Sequence, residues 1–150
     1  MTINWWQSLA GLIVGFVFSK IVDQVKTHQT KANVRESIRK LFYFNLTRCI
    51  QMGKQLTTVK DGMIEIPNYP FDTDALKQVM FDGIGTFKTK EEQEEFDDLN
   101  WARYQLDHLN YKLSHINLST ETAKVQLLPE FLSHLDCQKK GIEKLLGKLK

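Results

Sequence analysis

The chain has 150 residues, 42% of them hydrophobic and 25% charged, with a formal net charge of +2. That length suits one domain, and the balance excludes a disordered chain, a collagen-like chain and a strongly basic nucleic-acid binder. Two cysteines are too few for a disulfide-stapled secreted scaffold, and three prolines with eight glycines leave little room for the turns of an all-β protein.

From Met1 to Ser19 no side chain carries a charge. As a helix, residues 3–22 span ~30 Å, the thickness of a bilayer's hydrocarbon core, so this segment is expected to be a transmembrane helix. Trp5 and Trp6 fall at one end, where indoles prefer the headgroup region. Lys20 falls at the other and can snorkel to the interface, with Lys26 at headgroup level beyond it. A cleaved signal peptide carries its positive charge before the apolar run; here the charge follows it. Lys20, Lys26, Lys31, Arg35, Arg39 and Lys40 all lie after the span and no Lys or Arg lies before it. The positive-inside rule therefore puts the N-terminus outside and the rest of the chain on the cytoplasmic face of the inner membrane. Reduced thiols at Cys49 and Cys137 suit that compartment. Gly11, Gly15 and Ser19 recur every four residues on one stripe, which lets two backbones approach closely in lipid and predicts a homo-oligomer.

Residues 23–150 read as a cytoplasmic helical bundle. Val34, Ile38, Leu41, Phe42, Leu46, Cys49, Ile50, Met52 and Leu56 step mostly by three or four, as on an amphipathic helix. No proline or glycine falls between Gly15 and Gly53, so the membrane helix is expected to run on into this one. Thr57 to Asp72 reads as a loop, with Met63–Ile66 as a short extended segment. Pro70-Phe71-Asp72-Thr73-Asp74 starts a short helix, capped by Asp72 or Thr73, stapled by Phe71 on Leu76, and stopping near Gly83. A long helix follows from about Thr89, where Thr89 and Glu92 form a capping box, to Asn117. Its seam is Phe96, Leu99, Ala102, Leu106, Leu109, Leu113 and Ile116. The last region, from Ser119, has the seam Leu128, Phe131, Leu135, Ile142, Leu145 and Leu149, and Pro129 is expected to kink or divide it. Such helices bury their seams only against one another, so the fold class is all-α: a transmembrane helix continuing into an antiparallel bundle.

Charge is blocked along the chain. Residues 20–60 hold nine basic and two acidic side chains, residues 61–107 four basic and twelve acidic, and residues 108–150 seven basic and four acidic. The first block suits the anionic lipid bilayer, the first partner expected of this chain. The second has no affinity for that surface, and is expected to face the cytoplasm or a basic surface of a neighbouring subunit or partner protein. Nucleic acid is not expected as a partner, because the basic residues come with no groove-reading motif or aromatic platform.

Little in the sequence carries chemistry. There is no phosphate-binding glycine loop, no HExxH and no CxxC pair, so neither a cofactor nor a metal is expected. His108, His115, His134 and Cys137 are the only grouping of metal-ligand type, and their spacing matches no zinc pattern. Arg103-Tyr104-Gln105-Leu106-Asp107-His108 resembles the R-x4-6-H pattern of HEPN ribonucleases, which are also helical bundles. That resemblance implies RNA cleavage by Arg103 and His108, an Arg to hold phosphate and a His to move protons. Five residues of helix turn through ~500°, leaving these two side chains ~140° apart, and Arg103 can instead pair with Asp107.

The layout as a whole resembles small prokaryotic single-pass membrane proteins with a cytoplasmic helical bundle. The matching pieces are Pro70-Phe71-Asp72-Thr73-Asp74, the short helix to Gly83, and Ile116-Asn117. The likeness implies a fold and an anchor, and no activity. A more distant likeness, in architecture, in the Gly11/Gly15/Ser19 stripe and in Arg103/His108, is to the membrane accessory proteins of RNA-targeting CRISPR systems. It implies an antiviral defence protein that assembles into a pore.

Overall fold

The structure, a computed structural model, describes residues 5–56 and 71–149, and side chains from Ser19 onward except Thr27. The expected extended segment at Met63–Ile66 lies outside the described residues. Among those described, the chain is helical with no strand: α1 (Trp5–Leu56), α2 (Thr73–Asp82), a 3-10 turn (Ile84–Thr86), α3 (Lys90–Asn117) and α4 (Glu121–Lys148). Each helix packs on the next, and α4 closes on α1, which makes a four-helix bundle.

Side-chain pairs fix the directions. Asn45 of α1 meets the start of α2, whereas Val34 lies against Gly83 at its end, so α1 and α2 are antiparallel. Phe81 stacks edge-on against Phe96, while Asn110 reaches back to Phe71, so α2 and α3 are antiparallel. Lys112 pairs with Glu130 and Lys148 with Asp98, so α3 and α4 are antiparallel too. The diagonal helices α1 and α3 therefore run parallel.

The core follows the expected seams. All seven α3 positions are buried, as are Leu128, Phe131, Leu135, Ile142 and Leu149, with Leu145 packed against them. The Thr89–Glu92 capping box is present in full. Between Leu135 and Ile142 the α4 seam is completed by a polar side chain: Gln138 Nε2 donates to the Ala102 carbonyl at 2.9 Å. In α1, Ile38, Phe42, Leu46, Cys49, Met52 and Leu56 are buried, whereas Ile50 is exposed.

Of the two effects expected of Pro129, division is not found: the last helix is continuous from Glu121 to Lys148. Pro129 and Val125, whose carbonyl loses its donor, both lie on the exposed face, which is where a helix tolerates a missing bond. Gly83 ends α2 as expected, with φ −91°. Its role is close approach: a Cβ there would sit 2.4 Å from Val34 Cγ1.

Two asparagines tie the entry to α2 between α1 and α3. Asn45, fully buried, accepts from the Asp72 N–H at 2.8 Å and donates to the Asp72 carbonyl at 3.2 Å. Asn110 does the same for Phe71, accepting its N–H at 2.7 Å and donating to its carbonyl at 3.0 Å. Each amide thus satisfies both polar groups of one backbone residue, as a strand neighbour would. Asp72 then caps α2 by accepting from the Ala75 N–H at 3.2 Å.

Candidate functional site

The packed part of α1 begins near Lys31. Every described side chain from Ser19 to Thr30 is exposed, including Ile21, Val22 and Val25. Residues 5–30 thus leave the bundle as one unbroken helix, ~39 Å long. Ser19, Lys20 and Lys26 lie on this projection, as do the backbones of Trp5, Trp6, Gly11 and Gly15, whose side-chain surroundings fall outside the described residues. No helix is long and apolar enough to cross a membrane among the described residues. Of the predicted span 3–22, the side chains before Ser19 fall outside those described.

At the foot of the projection, basic and acidic blocks meet. Lys31 pairs with Glu92 and Arg35 with Glu95, joining α1 to the first turns of α3. Lys148 of α4 adds a 3.2 Å bridge to Asp98. The acidic block therefore sits at the end of the bundle from which α1 projects, and part of it is neutralised within the chain. The Lys31 and Arg35 pairs, partly buried, set which end of α3 lies beside which part of α1.

Arg103 and His108 do not converge. Arg103 is held by Asp107 Oδ2 at 2.6 Å and Asn100 Oδ1 at 3.1 Å, and its side chain is only 13% exposed. His108 is exposed and lines a groove of about 280 Å³ between α3 and α4, together with Tyr104, His134 and Cys137; Arg103 does not line it. The guanidinium is occupied by its helix neighbours, as i,i+4 spacing favours.

The histidine and cysteine grouping is split. His108, His134 and Cys137 share that groove, whereas His115 lines a second one of about 230 Å³ with Tyr111, Lys112 and Glu130. No group of three or more residues able to hold a metal occurs among the described residues. Lys112 Nζ lies 2.8 Å from Glu130 Oε1 and 2.6 Å from His134 Nδ1, so it donates to both. That hydrogen bond holds the Glu130 carboxyl below its ordinary range. Burial pushes the Cys49 thiol up to about 12, which leaves it protonated and inert at neutral pH, whereas Cys137 is exposed.

The structure also exposes a stripe that a single-seam reading of α3 passes over. Trp101, Tyr104, His108, Tyr111 and His115 all point outward. Their spacing of three and four repeats that of the buried seam, displaced by two residues, and that displacement was the available signal. Comparison with family models, with characterised proteins and with solved structures found no match.

Proposed function

We propose that this chain is a membrane-anchored helical-bundle module that works by self-assembly or by binding a partner at the cytoplasmic membrane face. The observation that carries the reading is the projection of α1. A bundle that needed residues 5–30 for its core would fold them onto itself, yet every described side chain of residues 19–30 is exposed. The sequence from Met1 to Ser19 is free of charged side chains, a composition that suits lipid better than water. Basic residues follow it at once, which supports an N-terminus outside and a bundle inside. Gly11, Gly15 and Ser19 then face a neighbouring helix in the bilayer. The distant likeness to CRISPR accessory proteins narrows this to a pore-forming defence protein, for which membrane depolarisation on expression is the readout.

Alkaline carbonate extraction with cysteine labelling tests the anchor and its orientation together. The chain should stay in the membrane pellet, and Cys137 should react with an impermeant maleimide only after the cells are opened. Release into the supernatant, or labelling in intact cells, would refute the anchor or its orientation respectively.

A further inference from the structure

We infer that the outward face of α3 docks a second copy of this chain, with the two α3 helices side by side and parallel. This deepens the self-assembly reading above and rests on it. The seam is Trp101, Tyr104, His108, Tyr111 and His115. Trp101 is 62% exposed, Tyr104 54% and Tyr111 70%, and both histidines are exposed. The steps of three, four, three and four are those of a helix-pairing seam. Two residues separate it from the buried seam, which is ~200° around the helix, so α3 presents one apolar line to its own core and another on its outer side, bordering the grooves with α4.

The composition of the stripe fits an interface. Tyr and Trp are enriched where proteins meet, because each combines a large apolar surface with a polar tip. Trp101 and Tyr104 already stack, with ring centroids 5.7 Å apart. No charged residue interrupts the five positions. Three partly exposed rings and two imidazoles offer ~500 Å² per copy, or ~1,000 Å² per pair, which reaches the lower limit of a specific interface.

Charge selects the orientation. Asn100 and Asp107 flank the seam on one side, and Gln105 and Lys112 on the other. In a parallel pair each residue of the first set faces the residue five places later in the second set of the partner helix. Asn100 then meets a second Gln105, and Asp107 a second Lys112. In an antiparallel pair Asp107 would face its own copy. Within one chain Asp107 binds Arg103 and Lys112 binds Glu130, so across the seam these become two small networks of alternating sign. Because α1 runs parallel to α3, the parallel pair also sends both α1 projections the same way, as two chains in one bilayer require.

The test uses the full-length 17.5 kDa chain in mild detergent, with its mass measured by light scattering. Tyr104→Glu with Tyr111→Glu alters exposed positions only, and unchanged circular dichroism confirms folding. The pair should weaken self-association at least tenfold. Independently, His108→Cys in a Cys137→Ser background should be joined to its own copy by a short bis-maleimide, whereas Trp101→Cys mixed with His115→Cys should not join to one another. An oligomer indifferent to the glutamates, with no cross-link at position 108, overturns the α3 interface and leaves assembly through Gly11 and Gly15 standing. A cross-link between positions 101 and 115 overturns the parallel arrangement. A wild-type monomer at every concentration overturns both the interface and the self-assembly reading.

Discussion

Asn45→Ala is the most direct test of what holds the bundle together. Asn45 is fully buried and gives the Asp72 backbone both of its side-chain hydrogen bonds. Its third bond, to the Leu41 carbonyl at 3.0 Å, supplements a helix bond already present, so losing it leaves nothing orphaned. Truncation leaves the Asp72 N–H unpaired, at ~1–3 kcal/mol where water is excluded, whereas the Asp72 carbonyl, as the N-cap's, still accepts the first bond of α2. At ~3 °C per kcal/mol for a domain of this size, the melting temperature should fall by ~3–9 °C. Asn45→Asp sharpens the argument. It keeps the acceptor for the Asp72 N–H but loses the donor and buries a carboxyl. Burial raises that carboxyl's pKa above its unfolded value, so its penalty is smallest in acid and grows by up to ~1.4 kcal/mol per pH unit as pH rises towards the folded pKa. Thermal and urea denaturation of the full chain, followed by circular dichroism at pH 5 and pH 7.5, read both effects. Exposed Gln51→Ala serves as the control. A melting temperature for Asn45→Ala within ~2 °C of wild type would refute the reasoning, since the lost bonds would then be worth no more than water's.

Gly83→Ala should cost ~1–3 kcal/mol, because the new methyl would stand 2.4 Å from Val34 Cγ1; Gly83→Ala with Val34→Ala should recover part of the loss in the same denaturation assay. Pro129→Ala should stabilise the protein by ~1–2 kcal/mol by restoring an N–H to an exposed mid-helix position, and a lower urea midpoint would contradict this. In native protein at pH 8, maleimide should modify Cys137 at least a hundredfold faster than Cys49, with the two equalised in urea; equal native rates would show that the α1 core opens locally. The Cys49 pKa lies above its unfolded value, so its contribution to stability is complete below about pH 9 and lost as pH rises towards about 12. The alkaline loss of stability should accordingly be shallower in Cys49→Ala, and identical pH slopes would count against the burial of the thiol.

Most of the bundle was legible because its signals are local and periodic. The α3 seam and the Thr89–Glu92 box each lie within one helix, where a spacing of three or four fixes a face without knowledge of the fold. What stayed hidden depends on contacts between elements. Asn45 and Asn110 look like ordinary polar positions, since their value arises only when the chain returns at residues 71–72, 27 and 39 residues away in sequence. Gly83 reads as a helix stop, and only the approach of Val34 reveals why it is glycine. The charge blocks were visible, but not that Lys31 and Arg35 would stand beside Glu92 and Glu95. The Arg103/His108 pattern shows the opposite failure. A short motif is fully legible in sequence, yet Arg103 is engaged by Asn100 and Asp107 while His108 opens into a groove that Arg103 does not line.

The two proposed contacts bear on each other through geometry. An interface near ~1,000 Å² is modest for molecules that must find one another in solution, since association forfeits translational and rotational freedom. On the anchored reading much of that cost is already met. Two chains held in one bilayer share an axis, and their α1 helices set the height of the bundles above the membrane. Because α3 runs parallel to α1, the same anchoring presents equivalent stripes at equal height and in the orientation that matches Asp107 to Lys112. The remaining freedom is rotation about the membrane normal and lateral diffusion. Contact along the Gly11/Gly15/Ser19 stripe would remove part of that as well, raising the effective concentration of one α3 face for the other. Neither contact then needs to be strong alone. Gly11→Ile with Gly15→Ile in α1, like Tyr104→Glu with Tyr111→Glu in α3, should therefore weaken assembly by more than the buried area of either contact would suggest.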